Sequence, residues 1–191
     1  MGKMTLLVIL LCICNLGCSQ KKTFVSNELR NVNPYKVGQV LVFISSKGKK
    51  DTLTITNVED GRFADAIGAP QNEHLVVDAS RRSRSIHDFT EERILSLLAE
   101  TESEQEQIDF SLSLKETALN MKYVSLYDFK RRTTSNLVND YAAYDDVLVF
   151  ENRANRSMND RAIVEFYWSK SIGYVRLVQN NGIVWDLKSI D

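Results

Sequence analysis

The sequence predicts a mainly β protein: a single antiparallel meander sheet, curved or closed into a partial barrel, with one or two short helices. Two observations predict this class. Runs that are rich in β-branched and aromatic residues, several with polar–apolar alternation, recur along the chain. Short turn signals join the last of these runs, and consecutive strands joined by short turns pair as antiparallel neighbours.

The first predicted hairpin consists of Tyr35–Ser46 and Asp51–Val58. The first run is rich in β-branched and aromatic residues, and in the second threonines alternate with apolar residues around a Gly-containing loop. This alternation indicates a sheet with one solvated face. We expect Gly61–Ala66 and His74–Val77 to add a third and a fourth strand.

The middle of the chain predicts a helix followed by a strand. Asp88 is a suitable N-cap with Glu91 three residues later, and a run of helix-forming residues continues to Glu102. Ile108–Leu114 alternates and predicts a strand. Between Glu116 and Arg132, a helix and a pair of short strands remain alternatives.

The C-terminal part carries the clearest strand pattern. The Asn-Gly pair at 181 and 182 is a strong hairpin signal, because both central residues of a type I′ turn need positive φ. The four predicted strands are Asp146–Glu151, Arg161–Trp168, Gly173–Gln179 and Ile183–Leu187.

The N-terminus has the features of an export signal. Lys3 supplies a positive charge, and the apolar run Met4–Ile13 is about ten residues long, against roughly 20 for a membrane-spanning helix. Polar residues follow Cys18 at once. We therefore expect a signal peptide at 1–17, a lipidated cysteine and flexible tether at 18–34, and one β-rich domain at 35–191.

The junction at Cys18 resembles the lipobox of bacterial lipoproteins. Gly17 and Cys18 match that motif and Leu16 is tolerated, whereas Asn15 departs from the usual leucine. The resemblance implies cleavage before Cys18 and acyl chains such as palmitate on its sulfur. An ordinary secretory signal with incidental cysteines is the alternative.

Cysteine usage agrees with lipidation. The three cysteines of the chain are Cys12, Cys14 and Cys18, so removal of the signal leaves only Cys18. A single thiol in an exported protein calls for an explanation, and a thioether-linked lipid provides one. No disulfide can form within the mature chain, so its stability must come from core packing.

The charge balance bears on the class of partner. The 24 basic residues include Lys3, so the mature chain carries 23 against 25 acidic residues, a formal charge of −2. Nucleic-acid binders normally present a strongly basic face, so no nucleic-acid partner is expected. The expected location is the cell envelope, with the outer membrane preferred. That preference rests on family analogy, because Ser19 stands where some lipoproteins carry the Asp that retains them at the inner membrane.

Two blocks of the chain resemble small Bacteroidota-type lipoproteins. Tyr35-Lys36-Val37-Gly38 with Asp51-Thr52-Leu53 looks like their start, and Tyr167–Val175, then Gly182 and Trp185-Asp186-Leu187, is similar to their closing segment. The resemblance covers about a third of the chain. Those proteins are mostly of unknown function, so it implies a fold and a location rather than an activity.

The sequence predicts no catalytic or metal-binding residues and no cofactor. His74 and His87 are thirteen residues apart and lack ligands at zinc-site spacing. Ser46 and Lys49 have Ser-x-x-Lys spacing but fall in a predicted hairpin loop, where no helical turn aligns them. Adjacent residues on a strand, such as Ser169 and Lys170, point to opposite faces.

Trp168 and Trp185, at the ends of predicted strands, are the candidates for the edge of a ligand mouth. The first functional hypothesis is therefore a membrane-anchored, non-enzymatic envelope lipoprotein whose β-domain binds a partner protein or an apolar ligand. The alternative is a periplasmic or surface hydrolase with a site assembled from distant residues, among which His74, His87, Asp145 and Asp146 come first.

Overall fold

A computed structural model of the chain describes residues 32–63, 72–82, 89–99, 106–115, 117–152 and 159–191. The predicted signal peptide, Cys18, most of the tether and His87 lie outside the described residues. Val32 is buried in the core, so the packed domain includes residues ahead of its predicted start at Tyr35.

The predicted fold class is confirmed. The chain forms one antiparallel meander sheet that curls into a half-barrel, with one short described helix. The strands are β1 (Val40–Ser45), β2 (Lys50–Phe63), β3 (Asn72–Arg82), β4 (Phe89–Ala99), β5 (Glu106–Leu114), β6 (Thr117–Ser125), β7 (Ser135–Val138), β8 (Ala143–Glu151), β9 (Ile163–Ser169), β10 (Gly173–Gln179) and β11 (Val184–Ile190), and the helix α1 is Leu126–Arg131.

The order of strands in the sheet is β6-β5-β4-β3-β2-β1-β11-β10-β9-β8-β7. Consecutive strands therefore pair throughout the sheet except β6 and β7, and β1 pairs with β11 to join the two halves. The two edge strands, β6 and β7, are consecutive in the chain and are connected by α1.

The curl of the sheet brings β6 close to the β8–β9 region without a hydrogen-bonded ladder between them. The Asn152 amide donates to the Asn120 carbonyl at 3.2 Å, and the Thr117 hydroxyl donates to the Arg161 carbonyl. Arg132 adds a bond of 2.7 Å to the Val149 carbonyl. Side chains thus stabilise a seam that backbone pairing leaves open.

The helix α1 lies at this seam. Ser125 caps its N-terminus by accepting the Asp128 N–H, and the buried Leu126 and Phe129 face the core. The Phe129 ring stacks on Phe150, with 6.1 Å between centroids. The sequence leaves a helix and a pair of short strands as alternatives for the segment 116–132. In the structure this segment contains a strand, β6, followed by the helix α1.

The helix predicted between Asp88 and Glu102 is wrong, because Phe89–Ala99 is strand β4, paired with β3 on one side and β5 on the other. The register with β3 shifts where Val77 faces Leu95 and Asp78 faces Arg93, which leaves Ile94 as an extra residue. This bulge turns both Ile94 and Leu95 inward, so the strand lacks the alternation that marks other strands. Pairing on both sides then overrides local helix propensity.

The β10–β11 connection differs from the predicted type I′ turn. The Gly182 N–H donates to the Gln179 carbonyl at 2.9 Å, which centres the turn on Asn180 and Asn181. Gly182 follows at φ 80°, a left-handed conformation that glycine adopts without strain. The hairpin itself is confirmed.

Candidate functional site

Trp168 lies in the core rather than at a ligand mouth. Its side chain is completely buried, and its ring centroid is 4.9 Å from Tyr174, 5.0 Å from Phe110 and 5.8 Å from Tyr35. A strand-end position therefore does not expose this residue. Residues that enter from before β1 and from β5 and β10 close over it.

The concave side of the sheet is filled by an aromatic cluster. Phe110 is its centre, and its ring contacts those of Phe129, Phe150, Phe166, Trp168 and Tyr174. The Tyr174 hydroxyl crosses from β10 to donate to the Ile94 carbonyl of β4 at 3.0 Å. Strands that are far apart in the sheet order thus touch through the interior, and in the described part of the half-barrel these side chains occupy the space that an apolar ligand would need.

Burial raises the pKa of Tyr174 well above its ordinary value, and it also raises that of Tyr35. Tyr35 accepts the Tyr174 N–H at 2.9 Å. Gly173 stands beside this contact at φ 94°, and a Cβ on it would overlap the Tyr35 hydroxyl. The aromatic interior is therefore closely fitted at this end as well.

Trp185 has different surroundings, because it lines a pocket at the opposite end of the half-barrel. The pocket has a volume of about 210 Å³. It lies where the β1–β2 and β10–β11 turns meet the segment before β9, and we call this the pocket end. The lining residues are Ser45, Lys47, Lys49, Arg161, Gln179, Asn181, Ile183 and Trp185.

Backbone hydrogen bonds hold the walls of this pocket. Ser46 in the β1–β2 turn donates its N–H to the Val184 carbonyl at 2.7 Å. Asn180 and Asn181 in the β10–β11 turn donate to the carbonyls of Ala162 and Asp160, each at 2.9 Å. The turns are thus fixed to their neighbours, and the pocket is preformed.

The charge of the pocket is entirely positive. Lys47, Lys49 and Arg161 line it, and none of the eight lining residues is acidic. No carboxylate in the described part of the chain forms an ion pair with Lys47 or Arg161. The field of these cations favours an anion at the opening.

Two buried polar atoms of the pocket lining have no hydrogen-bond partner among the described residues. They are Oε1 of Gln179 and Nε1 of Trp185, in side chains that are 3% and 1% exposed. Buried polar groups are normally hydrogen-bonded, so an unpartnered one needs an explanation.

A buried ion pair lies near the same end but outside the pocket lining. The Asp51 carboxylate is 2% exposed, lies 3.3 Å from Nε of Arg81 and accepts the Lys115 N–H at 2.6 Å. This pair ties β2 and β3 to the β5–β6 turn, a structural role.

The residues named for a hydrolase are not brought together. His74 on β3 is 3.8 Å from Glu59 on β2, whereas Asp145 and Asp146 are on β8, across most of the sheet order. Burial opposes ionisation of Asp146, but hydrogen bonds from Ser169 and Ser171 outweigh it and lower the pKa of this carboxyl. Asp146 thereby holds the β9–β10 turn.

Sequence reasoning missed most of the pocket. The basic turn Lys47-Gly48-Lys49-Lys50 is the one local signal of the pocket in the sequence. Arg161 and Gln179 carry no local signal, because only the sheet order brings them beside that turn. Trp185, a sequence candidate for the edge of a ligand mouth, is 1% exposed and is among the residues that line the pocket.

No group of three or more potential metal ligands occurs within the described residues. In the same part of the chain, no helix has the length and apolarity needed to span a membrane. No protein-family model, curated protein or solved structure matches this chain.

Proposed function

We propose that this chain is an envelope lipoprotein, anchored by acyl chains on Cys18, whose half-barrel is a non-enzymatic binding module. The lipobox resemblance and the single cysteine left after cleavage support the anchor. The outer membrane is the proposed location. The tether that precedes Val32 would hold the module at the membrane surface.

The observation that carries the binding role is a preformed polar pocket at the end of a filled half-barrel. Recognition sites are concave and present a few placed polar groups, and this pocket has both properties. The aromatic cluster occupies the interior, so we assign binding to the pocket end instead of the concave face. A polar ligand then fits better than the apolar ligand expected from sequence.

A direct test of the anchor compares two cysteine variants. The protein with Cys18→Ser should lose its membrane association and its acyl mass, whereas Cys14→Ser, a matched control inside the signal, should keep both. Intact-mass measurement of protein from its native envelope gives the readout. An unmodified sulfur on Cys18, or a leader still attached, would contradict the proposal.

A second candidate is a protein partner that adds a strand to β7. In the described sheet β7 pairs only with β8, and edge strands offer unpaired backbone groups to another chain. Two of the four exposed large apolar side chains among the described residues, Val138 and Tyr141, lie on β7 or in the turn that follows it. The occupant would be an extended segment of another envelope protein.

A photocrosslinker in place of Val138 tests this candidate, with one at the exposed Lys188 of β11 as the control. In native envelopes, the crosslinker at position 138 should give one defined crosslinked species, and the crosslinker at position 188 should not give that species. Equal labelling at both positions, or none at 138, would exclude strand addition at β7.

A further inference from the structure

We infer that the pocket lined by Lys47, Lys49, Arg161 and Gln179 binds a phosphate monoester on a small polar body. This inference rests on the proposed role of the half-barrel as a binding module, and it names the class of ligand that the module binds. Such a group occurs on a soluble metabolite or on a lipid headgroup, and both present the same chemistry to the pocket.

Charge selects the phosphate monoester over a carboxylate. Two lysines and one arginine line the pocket without a lining acid. A phosphate monoester carries close to two negative charges at neutral pH and three acceptor oxygens, whereas a carboxylate carries one charge. The guanidinium of Arg161 offers a planar pair of donors that matches two phosphate oxygens, and the lysines serve as point charges.

The exposed polar side chains of the lining select the body that carries the phosphate. The Asn181 side chain is exposed, and its carboxamide NH₂ group can donate a hydrogen bond to a hydroxyl oxygen. Ser45 adds a hydroxyl to the lining. A hydroxylated body meets these groups, and an aliphatic one does not.

Size and rigidity limit the ligand further. The pocket holds about 210 Å³, less than the roughly 300–1,000 Å³ of sites for drug-sized ligands. The ligand is therefore a small phosphorylated polyol or sugar, or the headgroup portion of a larger molecule. Because the turns are fixed by backbone hydrogen bonds, little ordering is needed on binding.

The position of the pocket favours a soluble source. Tyr35, near the start of the described chain, contacts Gly173 and Tyr174 at the beginning of β10. Gln179 ends the same strand, so the pocket lies at the far end of the half-barrel from the point where the chain enters. The pocket is thus at the end of the half-barrel opposite to the one where the tether would join it.

The experiment titrates glycerol 3-phosphate, with glycerol as the uncharged probe, into the full-length protein in a non-ionic detergent by calorimetry. The double variant Lys47→Gln/Lys49→Gln removes two pocket charges, and Lys36→Gln/Lys188→Gln removes two exposed charges elsewhere. We expect binding of the phosphate ester but not of glycerol. The pocket variant should weaken it by about tenfold or more, and the control should leave it unchanged.

Absence of heat and of saturable binding in the unaltered protein would overturn the inference, as would equal weakening in both double variants.

Arg161→Gln gives an independent check, because its exposed side chain can be shortened without disturbing the core. A short-chain phosphatidylglycerol phosphate, whose headgroup carries a free hydroxyl and a phosphate monoester, identifies the source: tighter binding than glycerol 3-phosphate indicates a lipid headgroup, and equal or weaker binding a soluble ester. Either result supports the site. A finding that Cys18 carries no lipid would refute only the proposed anchor. The titration would still test the pocket.

Discussion

Trp168 and Trp185 are both buried, but the residues around them differ in kind. Aromatic rings surround Trp168, whereas Trp185 shares its pocket with lysines, an arginine and amides. The indole N–H of each lacks a partner among the described residues, and of the two residues Trp185 contributes to the pocket lining. Burial alone therefore does not separate a core residue from the floor of a binding site. The chemistry of the neighbours does.

The comparison predicts that the aromatic interior carries the stability. Phe166 is fully buried and stacks on Phe150 at 4.8 Å, so Phe166→Ala should lower the free energy of unfolding by about 3–5 kcal/mol. Tyr127→Ala, at a 62% exposed aromatic residue, should change it by less than about 0.5 kcal/mol. Urea denaturation followed by circular dichroism measures both, and similar losses would break the distinction between interior and surface.

Gly173→Ala should produce the next largest loss, about 2–3 kcal/mol, because left-handed φ and overlap with Tyr35 act together. Gly48→Ala is the matched control. It also has positive φ but meets open space, so only about 1 kcal/mol should be lost. Thermal or urea unfolding of the two variants compares them, and equal costs would show that Gly173 is not tightly packed.

Tyr174→Phe should cost about 1–2 kcal/mol, because it removes the hydroxyl donor to the Ile94 carbonyl inside the half-barrel. Urea unfolding at neutral pH gives this value. An unchanged free energy would mean that the crossing hydrogen bond contributes nothing to the packed interior.

The same tyrosine predicts a loss of stability in alkali. Its pKa is raised in the folded state, so its contribution is full below the ordinary tyrosine pKa of about 10 and falls progressively as pH rises from there to the folded-state pKa. Each such tyrosine adds a slope of about 1.4 kcal/mol per pH unit. The slope above this pH should be shallower in Tyr174→Phe, and an identical slope would contradict the burial of an un-ionised phenol.

The smallest effect on stability is expected at the pocket. Lys47→Gln/Lys49→Gln should change the free energy of unfolding by less than about 0.5 kcal/mol, because both side chains are exposed. Its effect should appear in ligand affinity instead. A large loss of stability in this variant, measured by urea unfolding, would assign the lysines a structural role.

The local sequence pattern is sufficient to predict the strands where polar and apolar residues alternate along them and the turns between them are short. Gly173–Gln179 was predicted with the bounds of β10, and the neighbouring hairpin was expected from Asn181-Gly182. Pattern failed at Phe89–Ala99, where a bulge makes Ile94 and Leu95 consecutive core residues and mimics a helical face. The pocket could not be predicted, because Lys47 and Lys49 lie in the β1–β2 turn, Arg161 precedes β9, and only the sheet order brings these segments together.

The central claim is that Trp185 lies beneath a site for a phosphate ester and Trp168 does not. These two residues are the only tryptophans of the chain, so an isotope-labelled full-length protein should give two indole N–H signals in an NMR spectrum. Trp185→Phe assigns them. During titration with glycerol 3-phosphate, the Trp185 signal should shift and saturate while that of Trp168 stays in place. Movement of the Trp168 signal alone, or of neither, would contradict the account.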